Sequence, residues 1–164
     1  MFFDNDITDC YSWGLSKDEY FVFGGAFPKD YAMERFKLLK EKAEDFGFVF
    51  GDVVKTEICQ VLRPRGIRDC NSGDNGVFLI GEAAGFISPS SLEGISYALE
   101  NAFILSQVFN SGQTGSILDK TYHRKTRKLR GKVFSKNLKL PFMYTKHLRY
   151  LVLKSGMNSV KIVE

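Results

Sequence analysis

The chain has 164 residues, with 23 Lys+Arg against 19 Asp+Glu, 44% hydrophobic and 14% aromatic residues. That composition excludes a disordered tail, a collagen-like repeat and a disulfide-built miniprotein, because enough apolar side chain is present to offset the entropy of ordering a domain. The net charge of +4 conceals an asymmetry: residues 120–154 hold 12 Lys+Arg and no acid, whereas residues 1–119 hold 10 Lys+Arg and 18 Asp+Glu.

No stretch reaches the roughly 18 consecutive apolar residues of a bilayer span. The start, Met1-Phe2-Phe3-Asp4-Asn5-Asp6, lacks the basic lead of a signal peptide. Cys10, Cys59 and Cys70 form no C-x-x-C pair. A cytoplasmic protein with reduced thiols and no metal site is the expectation.

The aromatic-rich runs 9–15 and 20–27, separated by Ser16-Lys17-Asp18-Glu19, predict a hairpin. After Pro28, Ala32, Phe36, Leu39, Ala43 and Phe46 step by four and three, and Lys37/Glu41 and Lys40/Glu44 fall four apart on the other face. This predicts an amphipathic helix over 30–46, ending near Gly47. Residues 53–62 are rich in β-formers and are expected to add a strand to an antiparallel sheet, with a loop from Arg63 to Gly76 after it. Val77-Phe78-Leu79-Ile80 reads as a strand covered on both faces. Ile95, Ala98, Leu99, Ala102, Leu105 and Phe109 predict a helix stopped near Gly112. Two basic helices divided at Pro141 come next, with Leu118, Tyr122, Leu129 and Val133 on the inner face of the first. The expected fold is α+β, in three parts: 1–75, sheet and helix; 76–115, a strand-helix unit; and 116–164, a basic helical segment.

The run Gly81-Glu82-Ala83-Ala84-Gly85-Phe86-Ile87-Ser88-Pro89-Ser90-Ser91-Leu92-Glu93-Gly94-Ile95 lies between the expected strand and helix. In open α/β sheets ligands sit beyond the carboxyl ends of the strands. Gly81, Gly85 and Gly94 would let a bulky ligand approach the backbone, Glu82 offers a carboxylate to hydroxyl groups, and the helix after Gly94 presents free N–H groups and a partial positive charge.

Residues 77–98, VFLIGEAAGFISPSSLEGISYA, resemble the second FAD motif of the FAD-dependent oxidoreductases of the geranylgeranyl reductase type, within the group that includes aromatic hydroxylases. The resemblance covers roughly residues 9–155 and implies a fragment of an α/β FAD-binding flavoprotein fold. It implies FAD contacts from Gly81, Glu82, Ala83, Gly85, Pro89, Gly94 and Ile95. It also implies an isoprenoid or related lipid substrate, reduced by hydride from the flavin, lying against Tyr11, Trp13, Phe23 and Phe27; core aromatics of a sheet are the other reading of Tyr11 and Trp13. No two glycines are separated by a single residue, so the chain carries no dinucleotide fingerprint. On that resemblance it is the C-terminal half of such an enzyme, inactive without an N-terminal Rossmann half supplied as a partner. A flavin monooxygenase or halogenase fragment is the runner-up.

The remaining residues favour quieter roles. Cys59 is expected as a small buried hydrophobe, and Arg63, Arg65 and Arg68 as a solvated loop rather than a diphosphate clamp. His123 and His147 lack a carboxylate in the local sequence, and no residue is assigned a catalytic role. Ser88, Ser90 and Ser91 cap a turn, since no G-x-S-x-G elbow is present. The basic segment from Lys120 is either a solvated helix face or a docking surface for an anionic membrane, with nucleic acid the less favoured partner.

Overall fold

A computed structural model describes residues 1–156; the last eight residues, with Lys161 and Glu164 of the basic segment, lie outside the described residues. The chain divides between Gln60 and Val61 into two units. The boundary drawn from sequence at 75/76 therefore falls inside the second unit, because the loop after Arg63 packs against the helical residues C-terminal to it.

In the first unit, β1 (Ser12–Lys17) and β2 (Tyr20–Gly25) form an antiparallel hairpin in register Ser12↔Gly25 to Lys17↔Tyr20, closed by Asp18 and Glu19. Phe2 adds an isolated bridge, its N–H donating to the Ser12 carbonyl at 2.7 Å and its carbonyl accepting from Ser12 N–H at 3.0 Å. Strand side chains alternate between faces, so Phe21 and Phe23 share one face. There Phe23 meets Phe50 at 4.8 Å and Phe36 at 6.1 Å, and Phe2 meets Phe48 at 5.7 Å.

Phe36 belongs to α1 (Ala32–Asp45), which buries Leu39 and Ala43 as the four-three spacing predicts. It ends through two bonds that satisfy its last carbonyls: Gly47 N–H to Glu44 at 2.9 Å and Phe48 N–H to Ala43 at 3.0 Å. α1 is tied to the N-terminal loop by Lys42 Nζ on Asp4 at 2.7 Å and by Arg35 Nη1 on the Ile7 carbonyl at 2.7 Å. The expected third strand does not form. Residues 53–60 are exposed and carry no regular secondary structure, since β-propensity describes fit to a neighbouring strand and none lies beside them.

The second unit is helical. α2 (Ile95–Phe109), α3 (Gly115–Lys125), α4 (Arg127–Asn137), α5 (Leu140–Tyr144) and α6 (Lys146–Lys154) come after a segment of turns. Cys70, Ala84, Phe86, Tyr97, Leu129 and Val133 make its core, with Leu79 and Ile104 packed against them. Leu129 and Val133 lie inside as expected, but among the described residues the basic segment holds four helices where two were predicted. Thr126 interrupts the first, and Pro141 sits at the start of α5, where a missing N–H costs nothing.

Residues 77–80 are not a strand. Asn75 and Gly76 turn the chain back, Leu79 N–H reaches the Ser72 carbonyl at 3.1 Å, and Val77 is 61% exposed. An apolar run is buried on both faces only when neighbours cover both, and here Phe78 alone is held by rings, Phe109 at 5.2 Å and Tyr122 at 5.7 Å.

Candidate functional site

Gly81–Ala84 forms a 3-10 turn that returns at Gly85, and α2 starts ten residues later. Glu82, Ala83 and Ile95 are exposed, whereas Gly81, Gly85 and Pro89 are buried. The glycines answer to the chain's own packing. A Cβ on Gly85 would stand 2.2 Å from the Asp69 carbonyl oxygen, and one on Gly81 would stand 3.0 Å from Ala98 Cβ, both at positive φ. Gly94 has a negative φ and only ordinary contacts with Ile87.

The turn is held on α2 by a buried polar chain. Gly81 N–H donates to Asn101 Oδ1 at 3.0 Å, Asn101 Nδ2 donates to the Tyr122 hydroxyl at 2.8 Å, and that hydroxyl donates to the Leu79 carbonyl at 2.7 Å. Asn101 is fully buried, and burial pushes the Tyr122 phenol up. The buried stripe of α2 is thus Tyr97, Asn101 and Val108, rotated from the one expected. Ile95, Leu99 and Phe103 point outward, because an asparagine that satisfies a buried turn outranks a leucine for the inner face.

The serine run turns as expected. Ser91 N–H and hydroxyl both donate to Ser88 Oγ, at 3.3 and 2.9 Å, and Ser88 N–H donates to the Glu93 carbonyl at 2.8 Å. Glu93 Oε1 accepts the Ser96 N–H at 2.9 Å and also its hydroxyl. The Ser96 hydroxyl, then the N–H, hold the Glu93 carboxyl below the usual range.

The aromatic candidates of the first unit are split. Tyr11 and Trp13 pack together at 5.7 Å on one face of the hairpin, with Trp13 across Gly24, while Phe23 and Phe27 pack on Phe36 on the opposite face. The four do not line one cavity. Cys59 is exposed, correcting the buried assignment, whereas Cys10 and Cys70 are buried. Arg63 is engaged, its Nε on the Pro89 carbonyl at 2.8 Å and its guanidinium over Tyr144 at 5.1 Å; Arg65 and Arg68 are exposed.

Local sequence also hides the surroundings of His123. Its Nδ1 lies 3.2 Å from the Ser72 hydroxyl and 3.1 Å from Arg130 Nη1, so this nitrogen accepts from a guanidinium that can only donate. Arg130 is 5% exposed and forms no ion pair among the described residues. Desolvation lowers its proton affinity, and burial raises the neighbouring Cys70 thiol. His123 lies in the last turn of α3 and Arg130 in α4, so the pair is brought together by the break at Thr126 and no single helical repeat in the sequence marks it. Among the described residues no group of three His, Cys, Asp or Glu is arranged to hold a metal.

A second polar cluster, unmarked by any motif, lies between α2 and α4. There a cleft of about 150 Å³ is lined by Glu93, Tyr97 and Glu100 together with Lys132 and Lys136. Lys132 Nζ contacts Glu100 at 2.7 Å and stands over the Tyr97 ring at 5.6 Å.

The chain is 52% identical over 158 residues, 96% of its length, to Protein CbrA of Escherichia coli O139:H28, covering 44% of that protein. It is equally similar to Protein CbrA of Shigella flexneri serotype 5b, of which it covers 43%, and of Shigella sonnei, of which it covers 44%. The chain thus spans less than half the length of these curated relatives. No family model matches it, and no solved structure does. These similarities overturn the expected membership among geranylgeranyl-reductase-type FAD oxidoreductases. Relatives sharing half of its residues are named Protein CbrA, a name that carries no flavin, reductase or isoprenoid. The isoprenoid-reducing activity, the monooxygenase or halogenase alternative and the assignment as half of a flavoprotein fall with it.

Proposed function

We propose that this chain docks peripherally on an anionic lipid surface through its basic helical segment. The observation that carries this reading is the outer face of α6. Tyr150, Leu151 and Leu153 are 63%, 59% and 66% exposed there, beside the exposed Lys146 and Lys154. Leu148 and Val152 are half-buried, so the apolar residues available to an interface are Tyr150, Leu151 and Leu153. A helix that presents rings and aliphatic chains between ammonium groups suits the headgroup boundary, where apolar atoms enter and cations stay at phosphate level.

The acid-free run 120–154 adds cations without local repulsion of the surface. Each Lys or Arg near an anionic surface contributes about 1 kcal/mol, within a Debye length. Arg130 is buried and Lys132 is paired with Glu100, so neither counts in full. No helix among the described residues is long and apolar enough to cross a membrane.

Sedimentation with vesicles of anionic and of neutral lipid, at low and high salt, tests the reading. Binding to the anionic vesicles that weakens with salt, and falls further when Tyr150, Leu151 and Leu153 are replaced by Ser, is the expected result. Absence of binding at either salt returns the segment to a solvated face.

A further inference from the structure

α2 is apolar on two opposite faces, although only one of them meets the rest of the helical unit. The inner face carries Tyr97, Asn101 and Val108. Ile95, Leu99 and Phe103, spaced by four, share the opposite face and are 77%, 68% and 63% exposed. Ile80, next to the Gly81 that lies against Ala98, is exposed as well. A surface helix keeps polar residues opposite its buried stripe, and one that is apolar there too is built to be covered. Large apolar side chains exposed together mark an interaction surface.

Charge decides between lipid and protein as the cover. α2 contains no Lys or Arg, and its one charged residue, Glu100, is paired with Lys132 at 2.7 Å. The apolar residues of α6 stand among ammonium groups, as an anionic surface requires, whereas the outer face of α2 offers a phosphate nothing. Aliphatic and aromatic side chains with charge depleted around them are the composition of a protein interface core. Polypeptide to fill that role exists in the relatives, which are 52% identical to this chain over 158 residues and carry more than half of their length outside that match. We propose that the outer face of α2 seats a second protein domain, the polypeptide that Protein CbrA carries outside the matched region. Leu99 is the central anchor, with Ile95 and Phe103 on either side of it along the helix. This seat lies on a different helix from the membrane-facing α6 and does not depend on it.

The test grafts this chain into Protein CbrA of Escherichia coli O139:H28 in place of the matched residues. Leu99→Cys is introduced into the free chain and into the chimera, with Cys59→Ser to remove the exposed native thiol. Labelling by a water-soluble maleimide is followed by mass spectrometry of the peptide carrying position 99. Lys128→Cys, an exposed site on α4, is the control. In the free chain both sites should react fast. In the chimera position 99 should slow by about tenfold or more, because a covered thiol reacts only when the interface opens, while position 128 stays fast. Equal rates at position 99 in the two proteins, or equal slowing of both sites in the chimera, overturns the proposal. Slow labelling of position 99 already in the free chain also overturns it, and a dimer mass by light scattering then assigns the face to a second copy. If the chimera does not fold, the full-length Escherichia coli protein with Cys at the position aligned with Leu99 is labelled instead, and fast reaction there overturns the proposal.

Discussion

Replacing Asn101 by Ala should destabilise the helical unit by about 2–4 kcal/mol. Asn101 Oδ1 is the acceptor for the Gly81 N–H at 3.0 Å, and both residues are buried. Without it that donor is stranded, which costs about 1–3 kcal/mol. The Tyr122 hydroxyl also loses the bond it accepts from Asn101 Nδ2, but keeps its donation to the Leu79 carbonyl at 2.7 Å, so this loss adds only about 1 kcal/mol. Tyr122→Phe keeps the ring contact with Phe78 at 5.7 Å and should cost about 2 kcal/mol, from the Leu79 carbonyl and Asn101 Nδ2 left unpaired. Because the two residues share one bond, the double variant should fall short of the sum by about 1 kcal/mol. Urea unfolding followed by far-UV circular dichroism is the appropriate assay. Trp13, the one tryptophan, sits in the hairpin unit and would report on the wrong part of the chain. A shift below about 0.5 kcal/mol for Asn101→Ala, or strict additivity, would refute the reasoning that this chain of bonds holds the turn to α2.

Gly85→Ala should cost more than about 2 kcal/mol, since it combines a left-handed backbone with a Cβ 2.2 Å from the Asp69 carbonyl oxygen; Gly66→Ala, with open space around it, should change the midpoint of unfolding little. Glu93 contributes to the start of α2 while ionised, and its carboxyl is held low mainly by the Ser96 hydroxyl. That contribution is present above the ordinary glutamate pKa of about 4.3 and is lost as pH falls through the depressed value. Glu93→Gln should therefore flatten the acid limb of a stability profile, and an unchanged limb would remove the carboxylate from the cap. Native protein treated with a thiol reagent should show Cys59 reacting fast while Cys10 and Cys70 react only on unfolding; three equally fast thiols would contradict the burial of the other two.

Much of the local architecture was legible from spacing alone. The four-three steps from Ala32 to Ala43 mark the inner face of α1, Leu129 and Val133 mark that of α4, and the polar break after β1 marks the hairpin. Each is a short-range matter, because a helix repeats every 3.6 residues and a hairpin joins neighbours. Residues 53–62 and 77–80 were misread as strands for the complementary reason: composition records a preference for a sheet, but a strand exists only when another backbone supplies its hydrogen bonds. The face that α2 buries could not be read from its own apolar residues, which would have placed Ile95 and Leu99 inward. Asn101 turns inward because Gly81, twenty residues earlier, and Tyr122, twenty-one later, need partners in the same buried space.

The same distance separates sequence from site. Glycines 81 and 85 stand out in the sequence, but that a Cβ there would meet the Ala98 side chain and the Asp69 carbonyl is visible only in the folded chain. The acid-free charge of the basic segment is a property of the sequence itself. Its division into a buried arginine on His123, a lysine paired with Glu100 and an outward face on α6 required the tertiary structure, because burial and pairing depend on groups that only the folded chain brings within a few ångströms.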